Sequence, residues 1–131
     1  MKHLIYFFTA ITILLVLAGC STERTIHKGD KHLALGEYYD AAIQYRKAYR
    51  QLSPKQKELR GKVSLKMAQS YARINQPQRA GAAYANAIRY GQASTEDRLA
   101  YAQQLLKNAS YKEAADIFRA ILDSLPGSLF V

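Results

Sequence analysis

The chain has no tryptophan, one cysteine, three prolines and three histidines in 131 residues. A lone cysteine cannot close an internal disulfide, so a disulfide-stapled scaffold is excluded and Cys20 needs another explanation. The histidines are His3, His27 and His32. His27 and His32 lie five apart, not the three or four that would place two ligands on one helical face, and no acid joins them in a metalloprotease pattern. The chain also lacks a glycine-rich phosphate loop, a Gly-x-Ser-x-Gly elbow and a Cys–His pair. These absences lead us to expect a protein that is not an enzyme and holds no metal and no cofactor. Acids are scarce as well: 10 Asp and Glu stand against 19 Lys and Arg, a net charge of +9.

The apolar residues are unevenly spread. Lys2 and His3 open the chain, an almost unbroken apolar run covers residues 4–17, and Leu17-Ala18-Gly19-Cys20 closes it. This is the charged start, apolar core and small-residue cleavage site of a secretory signal. The ending is similar to a bacterial lipobox, in which the cysteine thiol takes a diacylglycerol and becomes the new N-terminus. That resemblance implies residues 1–19 as a lipoprotein signal peptide and Cys20 as the lipidation site, carrying palmitate-type acyl chains. The other reading of these residues is an ordinary signal peptide with a cysteine near its end. Two or three acyl chains make a stable membrane anchor. Ser21 follows the cysteine where an aspartate would suggest inner-membrane retention. By resemblance to sorting in enteric bacteria, it implies an outer-membrane location facing the periplasm. Nucleic acid is not an expected partner of an exported protein.

The remaining 112 residues suffice for one small domain, and they repeat. Three segments align: one from Gly29 through Gly36, Ala41 and Tyr45; one from Ala68 through Asn75, Ala80 and Tyr84; one from Ala102 through Ala109, Ala114 and Phe118. The second and third copies are offset by 34 residues, the first and second by 39. The first column is small, so two helices can approach closely, and an alanine at 41, 80 and 114 does the same from the second helix. An aromatic four residues on fills the space between hairpins. Gly36, Asn75 and Ala109 mark the turns, where glycine and asparagine tolerate a left-handed backbone and alanine does so poorly. Pro77 falls in the first turn of its helix, where a missing N–H is harmless. The periodicity predicts helices near 22–35, 38–52, 56–74, 77–90, 95–108 and 111–124, the fifth opened by a capping stretch at Ser94-Thr95-Glu96-Asp97.

These landmarks resemble the tetratricopeptide repeat family, with its 34-residue period of helical hairpins. The fold class implied is all-α: an α-solenoid of about three hairpins after the signal peptide, over residues 20–126, with repeats near 22–55, 61–92 and 95–126. Residues 127–131 read as a truncated or unpaired C-terminal tail. In this family the first helix of each repeat lines a concave groove that binds peptides or helices. Carried over by register, the groove residues are Lys62, Gln69, Arg73, Gln103 and Lys107, a basic-polar set suited to an acidic or extended partner segment. Some members clamp a terminal carboxylate, but the matching positions here are Ile26 and Asp30, so the clamp is not carried over.

Residues 46–66 hold eight cations against one acid, Glu58. Such a block suits an anionic membrane surface or an acidic partner, or is simply a solvated face. Tyr38, Tyr45, Tyr84 and Tyr111 read as packing residues; Tyr39, Tyr49, Tyr90 and Tyr101 read as freer. Residues 31–90 also resemble the N-terminal repeats of larger envelope lipoproteins, some of them associated with type IX secretion, that continue into a β-propeller and an OmpA-like domain. The function this implies is a protein–protein interaction scaffold in an envelope complex, such as a secretion-related one, held through its groove by envelope partners. The alternative is an assembly factor for outer-membrane or secretion machinery.

Overall fold

The computed structural model describes residues 1–127, and the side chains of these except residues 15–18. Six helices follow one another: α1 (Lys2–Ala34), α2 (Tyr38–Gln51), α3 (Lys57–Arg73), α4 (Pro77–Arg89), α5 (Thr95–Lys107) and α6 (Tyr111–Ser124). No strand occurs among the described residues. The main packing is between helices consecutive in the chain, so three antiparallel hairpins stack in a row. The all-α helical repeat architecture read from the sequence is the one observed.

The three hairpin turns are built alike. Gly36, Asn75 and Ala109 each take a left-handed backbone, with φ of 75°, 54° and 59°. At each turn the next residue's N–H reaches back five positions: Glu37 to the His32 carbonyl, Gln76 to Tyr71 and Ser110 to Leu105. This closes the orphan carbonyls of the preceding helix. Pro77 is the first residue of α4. Ser94 and Asp97 form a reciprocal capping box at α5, as the sequence suggested.

The repeated columns form the core. Gly29, Ala68 and Ala102 are all buried, and Ala41, Ala80 and Ala114 are fully so. Tyr45 and Tyr84 are buried in the third column, whereas Phe118 is only half-buried. The small column has a direct steric cause. A Cβ on Gly29 would lie 2.6 Å from the Tyr45 ring, so only glycine lets α1 and α2 meet there. The third hairpin is less covered because no hairpin follows it among the described residues. In α6 only Ala114 is buried, and Leu122 is half-exposed.

One boundary differs from expectation. The first helix was expected to begin near residue 22, but α1 runs without interruption from Lys2 through the apolar run into the first hairpin. Nothing at 17–20 stops a helix: there is no proline, and a single glycine costs only about 1 kcal/mol against alanine. The expected tail at 127–131 falls mostly on residues 128–131, which lie outside the described residues.

Candidate anchor and groove

The apolar run expected to be a signal lies on α1. Its apolar part contains an 18-residue window of mean hydropathy 2.3, none of it buried, and the helix is long and apolar enough to cross a membrane. Cys20 is exposed and free at the end of that part. The glycine before it has no packing role. A Cβ on Gly19 would meet nothing within 4 Å, while one on Gly29 or Gly61 would collide with a neighbour. Gly29 and Gly61 are therefore small because helices pack on them. Gly19 has no such explanation within the fold, and a small residue is what the lipobox expected from the sequence would require. The side chains of Leu17 and Ala18, the other two positions of that motif, lie outside the described residues.

The groove residues are brought together only in part. On α3, Lys62, Lys66, Gln69 and Arg73 recur at helical spacing and share one face. Gln69 and Arg73 meet in an open depression of about 460 Å³, lined also by Leu33, Tyr38, Ala72 and Tyr84. Arg73 donates to the Tyr38 hydroxyl at 2.6 Å, and its guanidinium lies 4.8 Å from the centre of that ring. Gln69 Nε2 reaches toward Asp97 Oδ1 on α5 at 3.5 Å. Lys62 is elsewhere. It lies beside the α2–α3 turn in a depression of about 320 Å³ and is paired with Glu58. Gln103 and Lys107 are exposed on α5 and line neither depression.

Lys66 was read from the sequence as part of the basic block at 46–66 but not as a groove residue, although it sits four residues after Lys62 on the same stripe. It crosses from α3 to α1 and binds Asp30 Oδ1 at 2.6 Å; the same oxygen accepts from the Tyr45 hydroxyl at 2.6 Å. Burial pushes the Asp30 carboxyl up, but the bonds from Lys66 and Tyr45, with the Lys66 and His27 charges, outweigh it and hold the group below its ordinary value. Burial first, then the Asp30 carboxylate, raises the Tyr45 phenol. The groove is therefore less basic than the cation count suggested, because Asp30 neutralises its central lysine. Asp30 also puts a negative charge where a carboxylate clamp would need a donor.

The tyrosines divide differently from the sequence reading. Tyr101, read as free, is buried and donates to Glu113 at 2.7 Å. Tyr49 and Tyr90 are half-buried under the guanidinium groups of Arg60 and Arg89. Tyr39 is exposed, as expected. Tyr111, read as packing, is 66% exposed. The reason is positional: Tyr38 opens α2 and is covered by Arg73 from the next hairpin, whereas Tyr111 opens α6 and has no following hairpin among the described residues. His32 pairs not with His27 but with Glu37 across the α1–α2 turn, its Nδ1 2.5 Å from Oε2, with Asp40 nearby. That group is exposed on its acidic side and is accounted for as a hydrogen bond of the turn. No protein-family model matches the chain, and no curated protein sequence matches it.

Proposed function

We propose that this chain is a lipid-anchored, tetratricopeptide-like scaffold of a bacterial envelope, lipidated at Cys20 and facing the periplasm from the outer membrane. The observation that carries the reading is the join at Cys20. An unburied apolar helix runs into an exposed cysteine, after a glycine that packing does not require, and then directly into a stack of three hairpins. A stack of hairpins presents side chains along an extended face, which suits binding another protein segment. The Gln69–Arg73 depression, with the Tyr38 and Tyr84 rings, is the part of that face best formed to hold one. Aromatic and arginine side chains of this kind are enriched where proteins meet.

Two experiments test the reading. Radioactive palmitate should label the chain in cells, and Cys20→Ser should abolish the label; equal labelling of both would overturn the anchor. Crosslinking in cells followed by pull-down should capture a stoichiometric envelope partner, lost when Arg73 and Lys107 are changed to glutamate. Reversing Lys62 as well should add little, because Lys62 already pairs with Glu58. Capture unchanged by the triple reversal would sink the groove assignment.

A further inference from the structure

Six of the eight cations at 46–66, all but Arg46 and Lys47, fall into two sets. Arg60 lies over the Tyr49 ring, 4.3 Å from its centre, and donates to the Leu52 carbonyl. Lys62 pairs with Glu58 and Lys66 with Asp30. These three are used by the fold. Arg50, Lys55 and Lys57 are exposed and make no ion pair or hydrogen bond among the described residues. All three sit at or beside the α2–α3 turn.

That turn has a fixed place relative to the anchor. Residues Leu52, Ser53 and Gln56 of the turn share an open depression of about 790 Å³ with Gly19, Thr22 and Ile26 of α1. The turn therefore packs beside the first turns of α1 after the apolar run. At 1.5 Å of rise per residue, residues 19–26 span from about 3 to 14 Å beyond Leu17 along the helix axis. The screening length at physiological salt is about 8 Å. Arg24, also exposed and unpaired, stands on α1 at the same level. Two acids are near, Glu23 and Glu58, and Glu58 is already paired. The surplus is positive whether residues 1–19 stay as a membrane helix or are removed and lipid is placed on Cys20, because both put the bilayer surface at the same end of α1.

The geometry points to a docking surface for anionic phospholipid head groups, formed by Arg24, Arg50, Lys55 and Lys57. It rests on the proposed membrane anchoring at the N-terminal end of α1 and adds a second contact that orients the stack on the bilayer. An acyl anchor alone leaves the domain free to tilt. A basic turn at membrane level holds the α2–α3 edge down and leaves the opposite hairpin ends, at Gly36, Asn75 and Ala109, pointing away.

The test uses the full chain reconstituted into vesicles of phosphatidylcholine alone or with phosphatidylglycerol. Flotation with the neutral vesicles reads the anchor. A neutral amine-acylating reagent, followed by mass spectrometry, reads each lysine separately. Lys55 and Lys57 should label about fivefold more slowly in the anionic vesicles, the change in partition that one cation near such a surface gives, and high salt should restore the rate. Lys107 and Lys112, near the opposite ends of the hairpins, should label equally in both. Flotation with equal labelling of Lys55 and Lys57 in the two lipids would overturn the docking surface while leaving the anchor standing. Failure to float would overturn the anchor and this surface with it.

Discussion

Replacing Gly29 by alanine should destabilise the protein, although it places the best helix former in the middle of a helix. The intrinsic preference favours alanine over glycine by about 1 kcal/mol. Against it stands the contact with Tyr45: the new Cβ would lie 2.6, 2.9 and 3.0 Å from three carbons of that ring. The ring cannot move aside. Tyr45 is fully buried, and its hydroxyl is tied to Asp30, which is tied in turn to Lys66. Overpacking a closed site of this kind costs about 1 to 3 kcal/mol, so the net loss is about 1 kcal/mol. Gly81 provides the contrast. It is also buried in a helix, but its added Cβ would meet only Asn108 Nδ2 at 3.5 Å and Tyr101 Cε2 at 3.9 Å, which is ordinary contact. There the preference stands alone, and Gly81→Ala should stabilise by about 0.5 to 1 kcal/mol. Urea unfolding of the full chain in detergent, followed by circular dichroism, compares the midpoints at unchanged slope. Gly29→Ala should fall below wild type and Gly81→Ala should rise above it. A smaller residue at 45 should recover part of the loss, giving a coupling between the two sites in a double-mutant cycle. A rise in midpoint for both glycine variants would refute the steric account of the small column.

Ala109→Gly should stabilise by about 0.5 to 1 kcal/mol, since alanine at φ 59° bears a left-handed penalty that glycine does not; the same urea assay checks it. Ser94→Ala should destabilise by about 1 kcal/mol by opening the capping box with Asp97, and amide exchange should quicken first in the opening turn of α5. Asp30, whose carboxyl is held low, stabilises the fold above its ordinary titration range; that contribution should begin to fade as pH falls through about 4 and be gone once pH is below the lowered folded value, so Asp30→Asn should unfold more easily than wild type at neutral pH and no more easily in strong acid. Burial, aided by the Glu113 carboxylate, pushes the Tyr101 phenol up to about 12, so its contribution should hold below pH 10 and be lost between 10 and 12, a loss that Tyr101→Phe should blunt.

The hairpins were legible because the residues that close a turn or let two helices touch are chemically restricted. Gly36 and Asn75 tolerate the left-handed turn, and Gly29, Ala68 and Ala102 are small because a neighbouring aromatic or helix lies against them. Ala109 was legible only through its alignment with the other two turns. The groove was less legible, because a helical register shows which side chains share a face but not which are already partnered. Lys66 is consumed by Asp30, 36 residues away in the chain, and Tyr38 is claimed by Arg73, 35 residues away. Lys62 shares their stripe, yet its i, i+4 bond to Glu58 ties it to the turn end of α3. The helix of the first hairpin starts earlier than expected because the apolar run and the hairpin helix obey the same helical preferences. Their difference lies in burial, which is absent before Cys20 where side chains are described and begins at Thr22.

That continuity joins the apolar run of α1 to Leu33 in the wall of the Gln69–Arg73 depression, and so sets the spacing of the two basic regions along one helix. On the proposed anchoring, the α2–α3 turn lies within about 14 Å of the end of the apolar run. Leu33, which lines the Gln69–Arg73 depression, is 13 residues beyond Cys20, or about 20 Å farther along the same helix. The two regions are thus separated by more than the screening length. An acidic partner segment bound at Arg73 would not compete with head groups for Arg50, Lys55 and Lys57, and the bilayer would not attract the groove cations into its own surface. A chain with the same cation count but an unbroken basic face would lie flat on an anionic membrane and bury its groove. Pairing Lys62 with Glu58 and Lys66 with Asp30 interrupts that face between the turn and Arg73, so on the proposed anchoring the stack should stand off the bilayer with the Gln69–Arg73 depression left free.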